Sequence, residues 1–303
     1  MNTKIGLALS AVLLLSSSQI FATSYTVPPP NRSLIGQVTY GAVGGGETTT
    51  SLAKRYDLGH NAMISANPHL DRNNSGAVKI PSQHLLPSQA RQGIVINLPE
   101  MRMYYYPPGS NVVLTYPIGI GKIGKTIPIK NAVITRKTEN PTWVPPDDIR
   151  EFNLQQGIVL PQVMPPGPDN PLGPYAIYMS IPTYLIHSTI FPESIGKRAS
   201  FGCIRMYESD IQEFFPSIQG GISVAIINSP VKVGWQDDRL YMEAHEALEE
   251  HSDAPDASLP GMVQMISNKA SDQPVLVDWQ MVSYLARERD GLPHEIGVRI
   301  PRN

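Results

Sequence analysis

The chain has little cysteine, little charge and, after its first residues, no long apolar run. One cysteine among 303 residues, Cys203, excludes an intramolecular disulfide. Only 17% of residues are charged, and 24 Lys plus Arg against 26 Asp plus Glu give a net charge of -2, so there is no global electrostatic case for a nucleic-acid partner. The chain has no internal repeat. His60, His69, His84, His245, His251 and His294 show no H-E-x-x-H or Cys-rich spacing, so no metal or other cofactor is expected and these read as surface or capping residues. Glu243, Glu246, Glu249 and Glu250 read as a solvated helical face. What is abundant also constrains the fold: 41% hydrophobic residues exclude general disorder, and 29 prolines favour short strands and turns over long helices. A mainly β protein is expected.

Met1 to Ser24 carries Lys4, the apolar run Ile5 to Leu15, and a polar stretch ending in Ala22, the layout of a secretory signal peptide (residues 1–23) cleaved near Ala22. Its 11-residue apolar core is too short for the roughly 20 residues that span a bilayer, and no transmembrane segment is expected after cleavage. The mature chain is therefore expected outside the cytoplasm, in the periplasm. A lone thiol in an oxidising compartment is either a buried structural group or a nucleophile.

From Thr48 to Leu86 the pattern is that of a small unit. Thr50, Leu52, Ala53, Tyr56 and Leu58 share a helical face, Gly59 stops that helix, Ala62 to Ala66 forms a second, and Val78 to Pro81 reads as a closing strand. From Gly93, short β-branched and aromatic runs read as strands: Ile94 to Leu98, Met101 to Tyr105, Asn111 to Ile118, Ala132 to Lys137 and Tyr175 to Met179. Pro161 to Pro174, with six prolines, is a loop long enough to line or cover a site. Tyr207 to Phe215 predicts a short helix stopped by Pro216, and Ile222 to Ile227 a buried strand. The remainder predicts a mixed α/β appendage with one helix from Val275 to Arg289.

Gly119 to Thr126 satisfies G-x-x-x-x-G-K-[ST], a phosphate-binding pattern. That chemistry needs a helix directly after the loop, whereas Ile127-Pro128-Ile129 continues as extended or turn structure. The glycines read as a loop between strands.

The segment with chemical content runs from His187-Ser188-Thr189 to Ser200-Phe201-Gly202-Cys203-Ile204-Arg205-Met206. It places the only cysteine 16 residues after a histidine that ends an apolar strand. An imidazole can take the thiol proton, and the Gly202 and Cys203 N–H groups can converge on an oxyanion, a donor of that kind contributing about 3 to 4 kcal/mol in other enzymes. This is equipment for acyl transfer.

These residues resemble the L,D-transpeptidase catalytic domain of bacterial cell-wall enzymes. The similarity spans residues 93–229 and includes Tyr116-Pro117-Ile118-Gly119, Pro141-Thr142-Trp143 and Pro145-Pro146. It implies a β-sandwich-like domain in which Cys203 is the nucleophile, His187 its base, the Ser188 carbonyl the group orienting the imidazole, and Gly202 with Cys203 the oxyanion donors. Arg205 would bind a stem carboxylate or brace the loop. Ser200, Tyr116, Trp143 and Tyr184 would contact substrate, against the alternative that an aromatic residue on a strand is core. Residues 24–92, with Asn67-Pro68, Leu70 and Ile80-Pro81, resemble a βααβ LysM module that binds N-acetylglucosamine polymers; the alternative is a helical prefix that only packs on the main domain. Residues 230–303 form the appendage.

The implied activity is attack on the L,D bond of a peptidoglycan tetrapeptide stem through a Cys203 thioester, with transfer to an amine. That acceptor is another stem or the C-terminal lysine of an outer-membrane lipoprotein; with water, the enzyme is an L,D-carboxypeptidase or hydrolase. A non-catalytic peptidoglycan-binding protein is the competing class. Three positions depart from the family pattern: Phe201 replaces a His, Ser188 a Gly, and Thr126-Ile127-Pro128-Ile129 a Thr-Pro-x-Gly.

Overall fold

The computed structural model describes residues 23–71 and 74–301. The expected signal peptide lies outside these residues except for Thr23, which starts the first strand.

The main sheet has nine strands. In spatial order they are Thr23–Thr26, Val112–Pro117, Arg102–Tyr106, Gly93–Asn97, Ser223–Ile227, Asn131–Glu139, Tyr175–Met179, Leu185–His187 and Ile204–Arg205. Neighbours are antiparallel except at two places, where Ser223–Ile227 runs parallel to Gly93–Asn97 and Ile204–Arg205 parallel to Leu185–His187. Asn131–Glu139 joins the two halves: its first residues pair with Ser223–Ile227, its later ones with Tyr175–Met179, with a register shift between Ile134 and Arg136. Inward residues of both halves, including Ile94, Ile96, Met103, Ile177, Ile186 and Ile204, share one core. That core is the buried face the β-branched runs predict.

Six helices complete the described fold: α1 (Thr49–Arg55), α2 (His60–Ala66), α3 (Asp147–Gln155), α4 (Glu208–Ser217), α5 (Leu259–Lys269) and α6 (Trp279–Glu288). Helix α4 sends Ile211, Phe214 and Phe215 into the main core, and it runs through Pro216 instead of stopping before it. A proline in the last turn is tolerated because only one upstream carbonyl loses its partner.

Val38–Ala42, α1, α2 and Ala77–Pro81 form a βααβ unit whose two strands pair antiparallel around Leu52, Met63, Val78 and Ile80. The unit begins earlier than Thr48, because Val38–Ala42 supplies its first strand. Thr23–Thr26, by contrast, pairs with the main sheet. The unit docks through α2: the His60 and Asn61 N–H groups donate to the carbonyls of Ile195 and Gly196 at 3.1 and 3.2 Å. A Cβ on Gly196 would lie 2.4 Å from the Gly59 Cα, so this backbone approach requires glycine.

The mixed α/β appendage holds two helices where one was expected, and its expected helix starts later. Val231–Gln236, Arg239–Ala244, His294–Arg299 and Val275–Val277 form a four-stranded sheet covered by α5 and α6, with its own core. Val275–Val277 is a strand, and Asp278 starts α6 by accepting the Gln280 and Met281 N–H groups at 3.0 Å each.

Its acidic residues do not share one solvated helical face: Glu246, Glu249 and Glu250 are exposed, but Glu243 lies on a strand and points inward. Glu243 is completely buried, and with Glu100 it grips the Lys232 ammonium at 2.8 and 2.9 Å. Glu250 pairs with Arg198 at 2.7 Å. His84 is also buried, beside these groups. His84, Glu100 and Glu243 converge as metal ligands would, but the Lys232 ammonium already bridges the two carboxylates.

Candidate active site

One strand pairing puts Cys203 and His187 on neighbouring segments of the main sheet. Leu185–His187 lies parallel to Ile204–Arg205, with His187 opposite Arg205, and Cys203 directly precedes that second strand. The Cys203 Sγ packs on the start of the histidine strand, 3.7 Å from the Thr183 carbonyl oxygen. Thr183 holds a positive φ of 72°, costly for a β-branched residue and the kind of outlier that occurs at functional sites.

His187 is buried, and its Nδ1 donates to the Ser188 carbonyl oxygen at 2.5 Å. That bond fixes the tautomer and leaves Nε2 as the proton acceptor. Burial, then the nearby Arg205 charge, pull the imidazole down to about 4. Burial pushes the Cys203 thiol up, against smaller opposing effects from the Leu185 amide and Arg205. The resting pair is therefore neutral thiol and neutral imidazole near pH 7, not thiolate and imidazolium.

Ser200 and Gly202 act within the loop. The Gly202 N–H donates to Ser200 Oγ at 3.1 Å, and that hydroxyl donates to the Cys203 carbonyl at 2.6 Å. Ser200 is thus an internal brace, 2% exposed, and is not placed to touch substrate. The Gly202 N–H is occupied, so the oxyanion donor expected from it is already used; among the described residues, the Cys203 N–H has no acceptor. Gly202 matters instead for its shape: φ is 114°, and a Cβ would lie 2.7 Å from Cε1 of Tyr184.

Tyr116 is a second correction. It is fully buried against Phe214, with ring centroids 5.3 Å apart, because strand alternation points it into the core. Tyr184 is partly exposed beside Gly202. Trp143 pairs through its backbone with Met164 at 2.9 and 2.8 Å, at the base of the segment that carries α3 and the proline-rich loop. Arg205 anchors itself by two backbone bonds to Gly119. Its guanidinium lies 5.6 Å from the Phe191 ring, and its buried Nε has no hydrogen-bond partner. The side-chain bracing role is therefore not the one it plays here.

The glycine-rich segment is a short strand, Ile120–Gly121, pairing with Arg198–Ser200 beside the Cys203 loop. No helix follows it, which removes the phosphate-binding context.

The family model of YkuD, the L,D-transpeptidase catalytic domain, matches residues 91–233. The probable L,D-transpeptidase YcfS of Escherichia coli K12 is 37% identical over 284 residues, covering 91% of this chain and 88% of its own. The probable L,D-transpeptidase ErfK/SrfK of the same organism is 40% identical over 253 residues, covering 81% of each. The ErfK/SrfK of Salmonella typhimurium LT2 is 37% identical over 302 residues, covering 95% and 96%. The chain belongs to the L,D-transpeptidase family.

Three residues around this L,D-transpeptidase site were not legible in advance. Asn170 is buried, and its Nδ2 donates to the carbonyls of Pro141 and Pro165 at 2.8 and 3.2 Å, tying both ends of the α3 segment. Lys122 sets its ammonium against both the Phe152 ring on α3 and the Phe201 ring. Lys125 pairs with Asp148 of α3 at 2.5 Å. An Asn before a proline in a loop is the usual sign of a turn, and no sequence spacing announces the other two contacts. The Ser188 hydroxyl, where the family has glycine, donates to the Leu172 carbonyl at 2.9 Å and accepts the Tyr175 N–H at 3.1 Å, fastening the end of the proline-rich loop.

Proposed function

We propose that this L,D-transpeptidase is exported to the periplasm and acylates Cys203 with a peptidoglycan tetrapeptide stem. The observation that carries the reading is the His187 Nδ1–H donated to the Ser188 carbonyl, which leaves a neutral imidazole nitrogen as base on the strand beside the nucleophile. Sulfur attacks the carbonyl carbon of the L,D amide while the thiol proton passes to His187. The Cys203 N–H stabilises the developing oxyanion. Collapse breaks the C–N bond, and the departing D-alanine amine takes the proton from the imidazolium, leaving a thioester. An acceptor amine then attacks, its excess proton leaving through His187, and the thiol is restored.

The unpartnered Arg205 guanidinium suits a carboxylate of the stem, which it can hold through paired N–H donors. Trp143 and Tyr184 flank the donor groove. The βααβ unit is read as a LysM-like glycan-binding module, supported by its strand and helix order. The proposed acceptor is the C-terminal lysine of an outer-membrane lipoprotein.

The test uses the signal-less protein and a disaccharide-tetrapeptide, following intact protein mass and released D-alanine, with Cys203→Ala beside it. An acyl adduct with D-alanine release, both lost in Cys203→Ala, is expected. A folded, reduced protein that gives neither overturns the reading. Adding a lysine-ended peptide or a second stem then identifies the acceptor, and release without transfer to either identifies a carboxypeptidase.

A further inference from the structure

Asp57 follows helix α1 and Asp210 lies in the first turn of α4, where the βααβ unit meets the catalytic unit. They are 5% and 4% exposed. Asp57 Oδ1 and Asp210 Oδ2 are buried without a hydrogen-bond partner, while Asp57 Oδ2 accepts from Thr23 and Asp210 Oδ1 accepts the Ser209 hydroxyl at 3.1 Å, so neither carboxyl group has a hydrogen-bonded cation. Two such groups cannot both ionise without a cation. Burial pushes Asp57 up to about 6, and burial with the Asp57 charge holds Asp210 well above the carboxylate range.

The charged side chains nearby do not supply that cation. Arg102, on the strand behind, acts on Asp57 only through space and donates its Nη1 to Thr115 at 3.2 Å. Lys54 and Arg55 line the adjoining cavity, but Lys54 lies over the Tyr207 ring and Arg55 pairs with Glu47 at 2.7 Å. Glu213 adds negative charge. Tyr25, Tyr116 and Tyr207, which feel these acids, are raised and stay neutral.

Thr23 does reach the pair. Its backbone nitrogen and its hydroxyl both donate to Asp57 Oδ2, at 3.3 and 3.1 Å. The same residue is fixed opposite Thr115 in the main sheet, and it directly follows Ala22, the small residue near which the expected leader is cleaved.

We propose that the α-ammonium of Thr23, created by hydrolysis of the Ala22–Thr23 bond, is the cation that completes the Asp57–Asp210 pair, so that removing the leader locks the βααβ unit onto the catalytic unit. The inference rests on the export reading above. Hydrolysis adds water across the amide: the carboxylate stays with the leader, and the new amine takes a proton. A neutral amide with one N–H becomes a cation with three, at an atom already bonded to Asp57. With the leader attached, the acid pair must keep a proton. Once Thr23 is free, the pair can ionise.

The test compares the chain released from a cleavable fusion so that it starts at Thr23 with the same chain started at Ile20, each also carrying Asp57→Asn. Thermal midpoints are read from pH 4 to 8. In the Ile20 form the raised acid pair contributes stability below the ordinary carboxylate pKa of about 4, and this is lost as pH rises through about 6. In the Thr23 form the new ammonium offsets the ionised pair, so this loss is smaller. The Thr23 form is expected to melt about 3 °C or more higher at pH 7, with the gap closing near pH 4 and vanishing in Asp57→Asn. Equal midpoints throughout, or a gap that survives Asp57→Asn, overturn the proposal. Intact mass of the protein matured in cells separates the two readings: a Thr23 start supports both, another start overturns the ion pair and leaves export standing, and an uncut leader overturns both.

Discussion

The Lys122 ammonium lies 3.7 Å from the centroid of the Phe201 ring and at the same distance from that of Phe152, in the angle formed by two rings whose centroids are 5.1 Å apart. Phe201 adjoins Gly202 in the nucleophile loop, while Phe152 belongs to α3, so one cation joins the loop to the segment beside the site. The departure from the family's histidine at position 201 thus supplies an aromatic face for this contact. Helix α3 buries none of its nine residues and has no core packing to hold it. Its hold is the Lys122 stack, the Phe152–Phe201 contact at 5.1 Å and the Lys125–Asp148 pair.

Phe152→Ala removes one face of that stack from a position away from the sulfur. A cation–π contact of about 1 kcal/mol converts to roughly a fivefold change in an opening equilibrium. Hydrogen exchange of α3 is expected to accelerate by about that factor and the donor KM to rise, with kcat for acylation nearly unchanged. Unaltered exchange would show that α3 is held some other way.

Gly202→Ala tests the shape of the nucleophile loop. The added Cβ meets the Tyr184 ring at 2.7 Å, and the backbone holds a φ of 114°, so the loop must shift or store about 1 to 3 kcal/mol of strain. The expected outcome is a lower thermal midpoint and an acylation rate reduced at least tenfold, with Tyr184→Ala added to the same chain restoring part of the midpoint but little of the rate. Full activity in Gly202→Ala would mean that the loop geometry is dispensable.

Lys232→Met tests the buried ion cluster that joins the appendage to the catalytic unit. It leaves Glu100 and Glu243 facing each other without their cation, and losses of about 3 to 5 kcal/mol accompany such broken pairs. Burial alone would raise Glu100, yet Lys232, His245, His84 and Arg102 together hold it below the ordinary carboxylate range. A depressed acid contributes stability above its unfolded pKa, here about 4.3, and loses it as pH falls through the folded value. Lys232→Met is therefore expected to melt well below the parent at pH 7, with a smaller deficit in acid, where the carboxylates take up protons. A deficit independent of pH would assign Lys232 a packing role alone.

Much of this was legible in the sequence, and the gaps have physical reasons. Strands such as Tyr175–Met179 carried a β-branched and aromatic signal strong enough to survive tertiary context. Cys203 and His187 stood out because a lone thiol near an imidazole is chemically rare. Tyr116 misled because an aromatic on a strand reads the same from either face. Ser200 misled because its role is a hydrogen bond inside its own loop, which spacing does not encode. The Val275–Arg289 helix ran one element too long, since Val275–Val277 fits either period until Asp278 is read as a cap. Helix α5 has a weak apolar period, and only Ser258 and Pro260 mark its start in the sequence. Glu243 reads as a surface acid in the sequence because its partner, Lys232, lies across a strand pair rather than along a helix.

The neutral pair at the site makes a distinct prediction for pH dependence. Burial and then Arg205 pull His187 down to about 4, while burial pushes Cys203 up. The base stays competent until pH approaches 4, so acylation kcat/KM should rise with an apparent pKa near that value instead of near the ordinary 6.5. Alkylation of Cys203 by iodoacetamide should be slow at pH 7 and grow only as the raised thiol ionises. Arg205→Gln removes the cation that lowers both groups, so the acid limb should move up in pH while the thiol becomes harder to ionise. The stability sign is separate: a histidine with a depressed folded pKa contributes stability above about 6.5 and loses it as pH falls to about 4. His187→Asn should remove that part of the acid sensitivity while abolishing acylation. An acid limb near 6.5, with rapid alkylation at neutral pH, would instead require a preformed thiolate–imidazolium pair.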